Sequence, residues 1–196
     1  MKDTTQLNSF AGAELVRKSG HSDDLQINGI YEVECRDKDG NLKWKDTIKN
    51  LVTTLGKNLA LDTLLAGSSY SVTGPYMGLI SSVDYSAIAA GDTQASHAGW
   101  KEAGGTNAPT YTAPRKTAVF AAASSGAKTL TAALSFGITG DGTVKGCFIV
   151  LGTGAVATID NTSGVLFSAG LFTGGDKVVA NTDTLNVSYT ANLNAA

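Results

Sequence analysis

Apolar and polar residues alternate most regularly in the C-terminal third of the chain. Leu130, Ala132, Leu134, Phe136 and Ile138 alternate with Thr129, Thr131, Ala133, Ser135 and Thr139. Leu185, Val187, Tyr189, Ala191 and Leu193 alternate with Asn186, Ser188, Thr190 and Asn192. A two-residue repeat places all the apolar side chains on one face of a pleated strand. Residues 144–151 and 165–172 are apolar at both parities, as strands covered on both faces are. The stretch predicts stacked antiparallel sheet with Thr, Ser and Asn on its outer face.

Residues 30–48 predict a hairpin. Tyr31, Val33 and Cys35 alternate with Glu32, Glu34 and Arg36, then Asp37-Lys38-Asp39-Gly40-Asn41 turns the chain into Leu42, Trp44 and Asp46. Asp-Gly supplies the positive φ of a tight turn. The loop also has features of a calcium loop in Asp37, Asp39 and Asn41. However, Cys35 stands where the first carboxylate belongs, and Asp46 replaces the closing bidentate Glu, so the hairpin is the stronger reading. Residues 50–66 predict the one helix, capped by Asn50 and ended by Gly67, with Leu51, Val52, Leu55, Leu59, Leu61, Leu64 and Leu65 as an apolar stripe. Gly56 inside it costs about 1 kcal/mol relative to Ala. Such a helix is expected to lie across a sheet face or plug one end of a sandwich; a partner-binding helix is the alternative.

Residues 76–80 and 115–122 read as further strands. Asp141-Gly142 marks a second hairpin, residues 161–164 a third turn and Gly174-Gly175-Asp176 a fourth. Apolar strands punctuated this often suit an antiparallel β-sandwich, jelly-roll-like, better than an α/β fold. Residues 1–28 show no strand pattern. They are a tail, or an arm that orders against a partner; Phe10, Leu15 and Val16 are anchors that favour the arm. The expected organisation is an arm over 1–28 and a β-sandwich domain over 29–196 that includes helix 50–66.

Composition narrows this further. A chain of 196 residues buries roughly 70% of its unfolded surface, enough for a core without metal or disulfide staples. The net charge of −2 and the absence of a basic cluster argue against nucleic acid. No apolar run approaches the roughly 20 residues of a membrane span. Cys35 and Cys147 form no Cys-x-x-Cys pair and read as buried free thiols, which fits synthesis in a cytoplasm. Residues 1–58 carry 18 of the 32 charged side chains, leaving 14 for the other 138 residues. Either the Thr/Ser/Asn exterior keeps the sheet soluble, or copies of the chain or a larger assembly cover it.

Candidate chemistry is sparse. Gly152-Thr153-Gly154-Ala155-Val156-Ala157 matches G-x-G-x-x-A, but β-branched residues and a turn follow where a dinucleotide fold needs a helix, so it reads as a strand connection. His97, Trp100 and Glu102 are the one place where an ionisable ring meets an aromatic and an acid. No nucleophile elbow accompanies them, and a structural histidine is the expectation. Scattered Asp84, Asp92, Asp160, Asp176 and Asp183 sit where Asp caps turns. No catalytic residue, cofactor or metal is expected.

Several segments carry a resemblance: Asp39-Gly40-Asn41-Leu42-Lys43-Trp44 leading into the helix, Tyr76-Met77-Gly78-Leu79-Ile80, and Ala90-Gly91-Asp92-Thr93 with Ser96-His97-Ala98-Gly99-Trp100-Lys101-Glu102. Gly174-Gly175-Asp176-Lys177 with Asp183-Thr184-Leu185-Asn186-Val187 completes it. Over about residues 30–193 the chain resembles small β-rich structural proteins of tailed bacteriophages. The resemblance implies a capsid decoration, or cement, protein that is made in the host cytoplasm and resides on the virion surface. It would bind the major capsid protein and itself as a homo-oligomer, and neither nucleic acid nor membrane. A tail or fibre component is the alternative. Another is a carbohydrate-binding module with Trp44, Trp100 and Tyr111 as stacking platforms.

Overall fold

The structure, a computed structural model, describes residues 25–65 and 73–195. In chain order the elements are β1 (Leu25–Arg36), β2 (Leu42–Val52), α1 (Thr54–Leu65), β3 (Tyr76–Ser81), β4 (Lys116–Thr117) and β5 (Ala127–Thr129). They continue with β6 (Leu134–Gly137), β7 (Gly142–Leu151), β8 (Val165–Phe172), β9 (Lys177–Val179) and β10 (Thr184–Ala195). The strands form one antiparallel sheet in the order β4-β3-β7-β8-β2-β1-β10-β5, with β6 on β10 and β9 on β7. Among the described residues the fold is therefore mainly β with one helix, as the alternation predicts. Phe10, Leu15 and Val16, the expected arm anchors, lie outside the described residues. Strand pairing begins at Leu25, opposite Ala195, ahead of the expected domain start at residue 29.

The longest ladder joins β1 to β10 from Leu25↔Ala195 to Arg36↔Thr184, two runs that alternate in the sequence. The β1–β2 turn follows its sequence chemistry. Both the Asp39 and Asn41 amides donate to the Asp37 carboxylate at 2.9 Å, and Gly40 takes a φ of 84°. The loop's leading carboxylate is thus engaged by its own backbone.

The sheet curls so that its inner face encloses the main core. Tyr31, Val33 and Cys35 from β1 meet Leu185, Val187 and Tyr189 from β10, Cys147 and Ile149 from β7, and Phe136 from β6. The other face of β3, β7 and β8 is covered by the long connections, residues 82–115 and 152–164. There Trp100 and Ala155 pack with Ile80, Phe148, Val150, Leu166 and Ala169 in a second cluster. Two layers over one sheet explain why β7 and β8 are apolar at both parities. Each large apolar side chain buried here contributes about 1.5–3 kcal/mol.

One short segment spans the seam of the curl. Thr117 pairs with Tyr76 of β3 and the Ala118 amide donates to Pro75. A few residues on, Ala121 donates to Thr129 and the Thr131 amide to Val119, with Phe120 bridged to Leu130. Residues 116–121 thus divide their hydrogen bonds between the two sheet edges, which is why the expected strand over 115–122 is regular only over Lys116–Thr117. The same seam breaks the alternating run 130–138: Leu130 is bridged to Phe120, and within the run only Leu134–Gly137 (β6) is regular strand, with β5 ending just before it.

Three further expectations need correction. The helix starts at Thr54, not Asn50. Residues 50–52 extend β2 along Ser168–Gly170 of β8, and Asn50 turns inward to donate to the Tyr189 hydroxyl at 3.0 Å. Thr53 caps instead, its hydroxyl accepting the Gly56 amide at 3.0 Å. Most of the expected stripe is also unpacked: Val52 is buried, within β2, and Leu59 half-buried, but Leu51, Leu55, Leu61, Leu64 and Leu65 are exposed and Gly56 is the one buried residue of α1. The helix touches β8 through Gly56, where a Cβ would strike the Phe167 carbonyl. Finally, the hairpin expected at Asp141-Gly142 does not form, whereas the turn expected at Gly174-Gly175-Asp176 does. Asp141 precedes β7 but joins it to no paired neighbour, its carboxylate accepting the Asn181 amide at 2.6 Å. Residues 173–176 loop out between β8 and β9, which run in succession along β7, with Leu171 opposite Gly146 and Lys177 opposite Val144. Asp46 of β2 pins this loop, accepting from the Gly174 amide at 3.0 Å and pairing with Lys177 at 2.7 Å.

Candidate functional site

The residues flagged as a possible reactive cluster do come together. Glu102 and Arg115 are 4% and 0% exposed at their side chains. Arg115 Nε donates to Glu102 Oε1 at 2.8 Å and Nη2 to Oε2 at 2.6 Å. Further Arg115 hydrogens reach the Val156 and Asn161 carbonyls at 3.1 and 2.9 Å, and the Asp160 amide donates to Glu102 Oε2 at 2.8 Å. Burial pushes the Glu102 carboxyl up from its ordinary value, and the Arg115 guanidinium opposes that rise. The His97 ring stacks on Trp100 with centroids 4.0 Å apart, and its Nδ1 lies 3.0 Å from the Trp100 carbonyl oxygen. Trp100 Nε1 donates to Asp92 Oδ2 at 3.0 Å, and the Arg115 guanidinium lies 5.4 Å above Phe148.

This arrangement is a cross-tie. The pair binds the 82–115 connection to the 152–164 connection over the sheet, and its donors and acceptors are spent on one another and on the backbone of Val156, Asp160 and Asn161. The residues of the G-x-G-x-x-A match belong to it: they open the β7–β8 connection, Gly152 and Gly154 adopt positive φ, and Val156 receives Arg115. Arg115 was not legible beforehand. It lies 13 residues from Glu102, beyond a proline-containing loop, with no local periodicity to join the two.

Three other features complete the survey. Cys35 and Cys147 are free and buried, as expected; burial, then the Asp183 carboxylate, push the Cys35 thiol up to about 12, so it stays protonated at neutral pH. Of the three proposed sugar platforms, Trp100 and Tyr111 are 1% and 3% exposed, and Trp44 packs edge-on against Phe172. Two of the three rings are thus closed to a glycan. The outer face of β10, β1 and β2 forms an open trough of about 640 Å³ lined by Glu32, Glu34, Lys45, Thr47, Asn186 and Ser188. Glu34 within it is held by Arg36 and Lys45 at 2.9 and 3.1 Å.

The apolar surfaces are more telling. Leu61, Leu64 and Leu65 are 47%, 63% and 73% exposed, and their i, i+3, i+4 spacing makes one ridge on α1. On the outer sheet face, Leu51 and Leu171 are also exposed and line a groove of about 390 Å³. Together the fold and these surfaces define a mainly β protein with a buried ionic cross-tie and exposed leucines on its helix and outer sheet face. No family model, no curated protein and no solved structure was found to match the chain.

Proposed function

We propose that this chain is a virion structural protein of the capsid-decoration kind, binding the outer capsid surface as a homo-oligomer and clamping neighbouring major capsid subunits. The observation that carries the reading is the leucine ridge of α1. A ridge of three exposed leucines over the last turn of a helix is surface that a partner covers, and it stands on a body whose ionisable cluster is spent on internal bonds. The resemblance to small phage structural proteins supplies the kind of partner. A cement protein adds interface that must be lost before a shell opens; interfaces of about 1,200–2,000 Å² are of stable size, and repetition over a lattice adds avidity. The proposed partners are the major capsid protein and further copies of this chain, with synthesis in the host cytoplasm.

The test compares particles made with and without the protein. Earlier opening of the depleted particles on heating, with chelator or at low salt supports the clamp; equal resistance sinks it. Electron microscopy of labelled particles separates capsid from tail or fibre. With Trp100 and Tyr111 buried, a glycan-binding module has the weaker support.

A further inference from the structure

The groove on the outer sheet face runs between the β2–β8 pair and residues 85–88, and is lined chiefly by Leu51, Tyr85, Ile88, Ala169 and Leu171, with Lys49 at one side. From these features we infer that it seats residues 10–16 of the same chain, with Phe10, Leu15 and Val16 against the leucines and Glu14 beside Lys49. The inference rests on those residues being anchors, but not on the virion reading.

Four observations select this occupant. The first is place: Ile30 of β1 lies opposite Lys49 of β2, and Leu25, where β1 begins, is only about 17 Å of strand from Ile30. The second is reach: residues 17–24 link Val16 to Leu25 and, extended, span roughly 30 Å, so the groove is within range of the tether. A tether that short holds its anchor at about millimolar effective concentration, above what a second copy reaches in dilute solution. The third is chemistry: Leu51 and Leu171 are exposed beside the groove, and residues 10–16 read Phe-Ala-Gly-Ala-Glu-Leu-Val, small and apolar apart from one acid. The fourth is charge: Lys49 is exposed and ion-paired with no other described residue, so Glu14 meets an unspent cation. The free protein would thereby keep its partner-binding anchors on its own body until a competing surface draws them off.

Limited trypsinolysis of the purified full-length chain reads the docking directly, because Arg17 and Lys18 adjoin the anchors. Cleavage there should be about tenfold slower in the wild type than in Leu171→Asp or Leu51→Asp, as expected for a site that opens only transiently. Val178→Asp, exposed at 70% on β9, should cleave at the wild-type rate. Two groove variants guard against one that misfolds, and circular dichroism checks each. In the double variant Leu15→Cys/Leu171→Cys, mild oxidation should give an intramolecular disulfide. Equal cleavage in all variants overturns the inference. So does a disulfide-linked dimer, which would assign the groove to the segment of a second copy.

Discussion

Removing one partner of the Glu102–Arg115 pair leaves a charge in a site that is almost wholly closed to solvent. Arg115→Met should therefore cost about 3–5 kcal/mol in urea unfolding, whereas Glu102→Leu/Arg115→Met should recover a large part of that loss. A double variant no more stable than Arg115→Met would show that the cross-tie acts by more than mutual neutralisation. Asp46 gives a pH signature. Burial would raise its carboxyl, but hydrogen bonds from Lys177, Thr173 and the Thr47 and Gly174 amides outweigh that and hold it at about 2, against an ordinary 3.8. A depressed carboxylate contributes stability above its unfolded value and loses it as pH falls toward the folded one. Thermal melts of the wild type should thus drop between pH 4 and 2. Asp46→Asn should lose about 1–2 kcal/mol at neutral pH and show a shallower acid drop. At this scale the grouping of His97, Trp100 and Glu102 was legible because the three are close in sequence; Arg115 and the link from Asp46 to Lys177 were not, because the chain returns to them from distant strands.

The helix shows how an element can be legible in kind and illegible in placement. Its leucines announce a helix, but much of the stripe that suggests packing is left in solvent, because the residue α1 buries against β8 is Gly56. Propensity alone has Gly56→Ala stabilise the helix by about 1 kcal/mol. The close approach to the Phe167 carbonyl reverses the sign, and Gly56→Ala should destabilise by about 1–3 kcal/mol in a thermal or urea melt. A more stable variant would mean that the helix can shift off β8 freely. Strands followed the same division. The alternating runs that became β1, β2 and β10 pair along much of their lengths, so periodicity located them well. The run over 130–138 alternates as cleanly and is nonetheless broken, since the seam with residues 116–121 takes its hydrogen bonds elsewhere.

For the molecule as a whole, the question is what covers the leucine ridge. Leu61→Lys, Leu64→Lys and Leu65→Lys should each change unfolding stability by no more than about 0.5 kcal/mol, as exposed sites do, while weakening association with capsids or with further copies in co-sedimentation. Retained binding by the triple variant would remove the ridge from the interface. By itself the sequence determined the antiparallel β class, the strands covered on both faces, the Asp-Gly hairpin and the buried free thiols. Each of these follows from residue spacing or residue type along a few neighbouring positions. Only the tertiary structure decided that Arg115 answers Glu102, that one segment spans the seam, and that the leucines of α1 are left uncovered. Those outcomes depend on which distant segments meet when the sheet curls, and local periodicity carries no record of that meeting.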